Sequence, residues 1–187
     1  MRLVQRSEIK DYQTYTDERP VTRPRILEVK ETRRVMLGSH LLFLFENHDT
    51  VWYQIQEMIR VERIVRESSI QEEIDVFNGL LGGPGELGVV LLIAVPEEDR
   101  PEKLSAWLDL LPTLYLKLEN GKKARATWDP TQIGDTRLSS VQYLKFDVNG
   151  MCPVAIGCDH SDPSLNGELA LNAEQRAALE SDLSDNG

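Results

Sequence analysis

The densest group of chemistry-bearing side chains lies in residues 45–63. Glu46, Asn47, His48, Asp49 and Thr50 stand in consecutive positions, and Gln54, Gln56, Glu57, Arg60, Glu62 and Arg63 follow closely. Carboxylates, amides and guanidinium groups at this density suit the binding of a polar ligand or partner. The candidate binding residues are Glu46, Asn47, Asp49, Gln54, Glu57, Arg60 and Glu62. Wound as a helix at about 100° per residue, Val51, Ile55, Met58, Ile59 and Val65 fall on one stripe, and Glu62 lies near its middle at about 20°. A carboxylate in an apolar stripe must be ion-paired, protonated or metal-bound, because an isolated buried charge is very costly. Arg66, four residues on and in the favourable acid-before-base order, could supply the pair. The competing reading is a functional carboxylate. Glu57 and Arg60 share a different face with Tyr53 nearby, a face expected to meet solvent or a partner.

Imidazole and carboxylate together suit iron, manganese or zinc. A transition metal is therefore the cofactor these residue types could hold, with Glu57, Glu62, His40 and His160 as candidate ligands; no other cofactor is evident. The motif helix lacks the Glu-x-x-His pair of di-iron bundles. Cys152 and Cys158, if on one strand, stand roughly 20 Å apart at about 3.3 Å per residue, too far to share a metal or a disulfide. His160, within Asp159-His160-Ser161-Asp162-Pro163, reads as a solvated loop histidine. Gly79, Gly82, Gly83 and Gly85 follow a helix and precede a strand, the reverse of a phosphate-cradling loop, so they read as a helix stop and tight turn.

The elements that must position these groups change period along the chain. Residues 8–17 and 25–35 read as weak helices, separated where Pro20 and Pro24 break the pattern. The motif helix follows with Asp49 as its N-cap. Ser69-x-x-Glu72 reads as a capping box opening a helix with Ile70, Ile74, Phe77 and Leu81 inward. Residues 87–95 form a continuous apolar run of strand length, the signature of a central strand covered on both faces. Pro101 introduces a short helix through Leu104, Trp107, Leu108 and Leu111. Asn120-Gly121 and Asn149-Gly150 are each flanked by strand-like runs and predict two antiparallel hairpins. Asn172, with Gln175 three residues on, caps a last helix. The expected fold is α+β: N-terminal helices packed on a mainly antiparallel sheet of about five strands with two Asn-Gly hairpins, and a C-terminal helix. A single domain over residues 1–187 is expected, with a helical part at 1–85, a sheet part at 86–160 and an acidic helix and tail at 161–187.

The chain has 187 residues with 31 acidic and 21 basic side chains, a net charge of −10. That balance argues against nucleic-acid coating, which needs a basic face. No apolar run approaches the roughly 20 residues of a membrane span, and the start Met1-Arg2-Leu3-Val4-Gln5-Arg6 turns polar before a signal peptide could form. Two cysteines fit a reducing compartment, so the expected location is the cytoplasm, with neither nucleic acid nor membrane as partner. Residues 1–34 carry 9 basic and 6 acidic groups, and residues 159–187 carry 1 basic and 7 acidic. The basic arm of Arg19, Arg23, Arg25, Arg33 and Arg34 could grip a partner, but such a run reads first as a solvated helix face.

Phe45-Glu46-Asn47-x-Asp49-Thr50 and Gln54-Ile55-Gln56-Glu57-Met58-x-Arg60-x-Glu62-Arg63 resemble an uncharacterised bacterial domain-of-unknown-function family. The resemblance extends to residues 30–38, to Glu73-Ile74-Asp75-Val76-Phe77-Asn78 and to Val141-Gln142-Tyr143-Leu144-Lys145-Phe146, and so to most of the chain. His48 stands where the family tends to carry Arg, which argues against a ligand role for it. Members are often encoded near rubrerythrin-like and iron–sulfur heterodisulfide-reductase-like proteins. The resemblance thus implies a bacterial accessory or binding protein that works with a redox or iron-containing partner. The alternatives are a metal-dependent enzyme with its carboxylate and histidine site on the motif helix, and a structural subunit of a homo-oligomer.

Overall fold

The computed structural model describes residues 1–185; the last two residues of the acidic tail lie outside the described part. Helix α1 (Tyr12–Glu31) is followed by strands β1 (Arg34–Leu37) and β2 (Leu41–Phe45), then helices α2 (His48–Glu62) and α3 (Glu67–Asn78). Strand β3 (Glu86–Ile93) and helix α4 (Arg100–Ala106) lead into β4 (Leu114–Leu118), β5 (Lys123–Thr127), β6 (Val141–Asp147), β7 (Pro153–Cys158) and β8 (Gly167–Ala170), and α5 (Ala173–Ser184) ends the chain.

The sheet has eight strands in the order β1-β2-β3-β6-β5-β4-β7-β8, every neighbouring pair antiparallel. It curls until β8 approaches β1, so that a Cβ on Gly167 would lie 3.9 Å from Leu37 Cδ1, and it nearly closes into a barrel. This corrects the expectation of about five strands. The strands not anticipated are those without a clean alternation of character. Residues 41–45 are apolar throughout, and β8 is a mostly exposed edge of Gly, Glu, Leu and Ala.

Asn120-Gly121 closes the β4–β5 hairpin. The second expected hairpin is absent. Asn149 and Gly150 do form a left-handed turn, with φ of 50° and 73°, and the Met151 N–H donates to Val148 O. The strands on either side then part, because β6 pairs with β3 and β5 while β7 pairs with β4 and β8. The turn serves as the return connection of a Greek key, in which β4, β5 and β6 follow in order and β7 comes back beside β4.

Inward-facing residues of the sheet, including Phe43, Phe45, Leu87, Leu91, Leu116 and Phe146, fill one core with Trp107 and Leu110. A second core joins Val51, Ile55 and Ile59 of α2, Ile70 and Ile74 of α3, and Val4 and Ile9 of the N-terminal segment. The two meet at β3. A Cβ on Gly88 would lie 1.8 Å from Leu80 O, so only glycine lets the α3–β3 link descend onto the sheet.

Three helix expectations are also corrected. Helix α1 runs unbroken through Pro20 and Pro24, both exposed. Its inner side is held by buried Tyr15 and Ile26 and by contacts with α2, and this packing outweighs the lost hydrogen bonds. The N-cap of α2 is Asn47, whose side chain accepts from the Thr50 N–H while Thr50 Oγ1 accepts from the Asn47 N–H. Asp49 lies inside the helix, in its first turn. Helix α3 begins at Glu67, before the expected Ser69 box, and without a side-chain cap.

Candidate functional site

The motif distributes its polar side chains over four clusters. Glu46 follows β2 directly and is 1% exposed. Thr50 Oγ1 donates to its Oε2, and Gln54 Nε2 donates to its Oε1 at 3.0 Å. Burial pushes the Glu46 carboxyl up, against the opposing pull of Thr50, Lys30 and Gln54. Lys30 is pushed down by the same burial, opposed by Glu46, and its ammonium lies 5.0 Å from the centre of the Tyr53 ring.

Asn47 and Glu57 act as ties between elements. The Asn47 amide donates to Asp182 on α5 at 3.2 Å, and Arg33 clamps the same carboxylate with Nε at 2.7 Å and a terminal nitrogen at 2.9 Å. Glu57 is held by α1. Tyr15 OH and Arg19 Nε both donate to Oε1 at 2.7 Å, while Arg19 and Arg60 donate to Oε2 at 3.2 and 3.0 Å. Burial alone would raise the Glu57 carboxyl, but these donors outweigh it and hold the group at about 2. The Glu57–Arg60 face, expected to meet solvent or a partner, therefore packs on α1.

The fourth cluster opens onto a cleft. His48 is 9% exposed, and its Nε2 lies 3.1 and 3.2 Å from the two Glu8 oxygens. Its Nδ1 lies 3.2 Å from Asp49 Oδ1 and 3.0 Å from an Arg2 guanidinium nitrogen. The Nε2–H tautomer satisfies both sides, donating to Glu8 and accepting from Arg2. Glu8, which burial would raise, is held at about 2 by the Gln5 backbone, Arg2 and His48. Beside this histidine is a cleft of about 360 Å³ between α1 and α2. Lys10, paired with Glu18, and Arg25, 3.5 Å from Asp49, stand around it, and Trp52 forms an apolar wall.

The structure therefore brings Glu46 and Gln54 together, ties Asn47 and Glu57 to other elements, and puts Asp49 alone of the seven candidates on the cleft. Arg60 serves Glu57. Glu62 is exposed at the last residue of α2, and Val65 lies beyond the helix at 71% exposed. The premise of a carboxylate within a buried stripe fails, and no Glu62–Arg66 ion pair forms among the described residues. The four candidate metal ligands are not neighbours. Glu57 and Glu62 sit on different parts of α2, His40 turns its Nδ1 to Ala94 O at 2.9 Å, and His160 contacts Asp109 at 3.0 Å. His160 is also not solvated: it is 4% exposed, and its Nδ1 accepts from the Asp162 N–H. Within the basic arm, Arg19, Arg25 and Arg33 are ion-paired rather than free. Among the described residues no Ser, Thr or Cys hydroxyl or thiol is hydrogen-bonded to a histidine ring, and the buried hydroxyl–carboxylate pair of the motif is Thr50 with Glu46.

Sequence reasoning missed Glu8, Lys10 and Trp52 and named Arg25 only within the basic arm; the four reach the cleft from three separate segments. Only Trp52, one turn after His48, carried a local signal.

A model of a family described as "Protein of unknown function (DUF3501)" matches residues 3–183. No curated protein matches the chain. Among solved structures, a crystal structure of a novel protein of unknown function from Burkholderia pseudomallei K96243 is similar at 27% identity. The match covers 97% of this chain and 100% of that one, with a TM-score of 0.87. Among the described residues no helix is long and apolar enough to cross a membrane.

Proposed function

As the chain belongs to the DUF3501 family of proteins of unknown function, we propose that it is a binding protein, accessory to a redox or iron-containing partner, and that the α1–α2 cleft is its recognition element. The observation that carries this reading is how the motif's polar groups are used. Glu46, Asn47 and Glu57 are spent on ties within the protein, whereas His48 and Asp49, paired with Glu8, Arg2 and Arg25, also border the open space between Arg25, Lys10 and Trp52. Paired charges around an aromatic wall suit recognition of a segment that itself carries both signs. The redox side of the reading comes from the family's gene neighbours.

The test is affinity capture from extracts of the source cells, comparing the parent protein with Arg25→Glu. The Arg25 side chain is 75% exposed, so the change should leave stability within about 0.5 kcal/mol. The expected result is recovery of an iron or redox protein by the parent and its loss with the variant. Recovery of no such protein above background, or equal recovery by both, overturns the proposal.

A further inference from the structure

Residues 1–10 join no sheet and form no helix beyond one 3-10 turn at Arg6–Glu8, yet they are gripped closely by α2 and α3. Asn78, the last residue of α3, holds both polar groups of one main-chain unit, accepting from the Val4 N–H at 2.9 Å and donating to Val4 O at 3.0 Å. Gln56 on α2 does the same to Lys10, accepting from its N–H at 2.7 Å and donating to its carbonyl at 3.2 Å. The Trp52 indole N–H donates to Glu8 O at 3.0 Å. Val4 and Ile9, 1% and 6% exposed, fill an apolar groove whose floor includes Ile55 and Ile59 of α2 and Ile70 and Ile74 of α3.

All five of these hydrogen bonds end on the segment's main chain. Main-chain groups are common to every residue, so the grip selects a chain path and leaves sequence to the side-chain contacts, as in the capture of extended peptides. Gln56 carries the argument furthest. It is fully buried, and among the described residues both of its amide atoms bond only to Lys10. A buried carboxamide without partners is costly, so α2 keeps in its interior a group whose use is a peptide unit laid beside it. The side-chain contacts then define what the groove selects. Arg6 forks onto Glu67 at 2.7 and 2.6 Å, and Glu8 meets His48 at 3.1 Å, whereas Leu3, Gln5 and Ser7 are exposed. The selected pattern is an apolar residue, a base two positions on, an acid four on and a second apolar residue five on. Because no ladder or long helix ties the segment down, it opens at a lower cost than the fold as a whole.

We infer that the α2–α3 groove is a peptide-recognition site for a partner segment of this pattern, and that residues 2–10 occupy it as an internal stand-in which the partner segment displaces. Glu8 and Lys10 also border the α1–α2 cleft, but Arg25 across that cleft pairs with Asp49 and not with the segment. Arg25→Glu therefore separates the two sites.

The probe is a fluorescein-labelled peptide with the sequence of residues 1–11, titrated into the parent protein and into Ile9→Asp, which loosens the internal segment. Anisotropy should show saturable binding to Ile9→Asp and at least tenfold weaker binding to the parent, whose own segment competes at an effective concentration of about 1 mM. Methylating the Val4 nitrogen of the peptide removes the donor to Asn78 and keeps the side chain, and should weaken binding about tenfold. Alanine at Leu3, Gln5 and Ser7 of the peptide should change it little, and Arg25→Glu added to Ile9→Asp should leave it unchanged. If Ile9→Asp does not fold alone, the unlabelled peptide should restore its native circular dichroism. Neither binding nor restoration, equal binding by parent and Ile9→Asp, or undiminished binding of the methylated peptide overturns the inference. Dimers of the parent that the peptide dissociates would assign the groove to a second copy and overturn it as well.

Discussion

Glu57 receives donors from Tyr15, Arg19 and Arg60, whereas the equally motif-bound Glu46 is shut away from water. Their effects on stability therefore have opposite signs. Glu57 is held at about 2, below its ordinary 4.5, so its contribution is complete above about pH 4.5 and is lost as pH falls toward 2. Glu46 is raised, so it favours the folded state below its ordinary value, and that contribution is lost as pH rises through its folded value. Glu57→Gln should lower stability at pH 7 by about 2 kcal/mol, after discounting for partial exposure, and should flatten the acid limb of the profile. Glu46→Gln should be at least as stable as the parent at pH 7, its advantage growing as pH rises from the ordinary carboxylate range through the folded value of Glu46 and level beyond it. Urea titrations at several pH values measure both. A Glu57→Gln protein with the parental acid limb would show that the α1 donors do not govern this carboxylate. The chemical types of this cluster were legible in the sequence, but its partners Tyr15, Arg19 and Lys30 belong to another helix and leave no spacing signal.

Helix α2 shows how far periodicity carries and where it stops. Val51, Ile55 and Ile59 are buried as their spacing implies, yet the stripe was extended to Glu62 and Val65 because a helical wheel does not register an end. The end is made by Arg63 at φ 50°, with the Ile64 N–H bonded back to Ile59 O. Glycine is the usual occupant of that position, and arginine gives no such cue. Because Glu62 and Arg66 are both exposed and unpaired among the described residues, Glu62→Gln and Arg66→Met should each change stability by less than about 0.5 kcal/mol and should add in the double mutant. A coupling above about 1 kcal/mol in thermal melts would restore the ion pair. Helix α1 errs in the other direction. Pro20 and Pro24 each remove an amide donor, normally a loss of about 3 kcal/mol within a helix, and tertiary ties to α2 hold the helix together regardless. Pro24→Ala, at an exposed position, should therefore stabilise the protein by about 1–2 kcal/mol, the restored helix bonding being partly offset by a more flexible unfolded chain. A lower melting temperature would instead mean that the proline shapes the helix to fit α2.

At the scale of the whole molecule, three distant segments converge on Asp182. Arg33 enters from the junction of α1 and β1, Asn47 from the start of α2, and Asp182 itself from the last turns of α5. Arg33 and Asp182 are 8% and 6% exposed, so the pair is isolated from solvent. Its position explains how a sheet without a β1–β8 ladder stays curled. Gln175 on α5 donates to Arg34 O on the open edge of β1, and the Asp182 clamp fixes the other end of that helix. Nothing local in the sequence announces this: a pair separated by most of the chain has no periodicity, and Arg33 belonged to a run that read as a solvated basic face. Removing one partner leaves the other charge buried and unmatched, so Asp182→Asn should lower stability by about 3–5 kcal/mol. Replacing both groups with apolar ones, Arg33→Met with Asp182→Leu, should recover much of that loss, although the Asn47 amide also loses its acceptor. Hydrogen exchange separates a local effect from one on the barrel seam. With Asp182→Asn, amides of α5 and β8 should lose protection well before those of central strand β3, because the clamp secures the seam and not the sheet interior. Uniform loss across β3 and β8 would instead mean that the seam and the sheet open as one unit, with the clamp stabilising both alike.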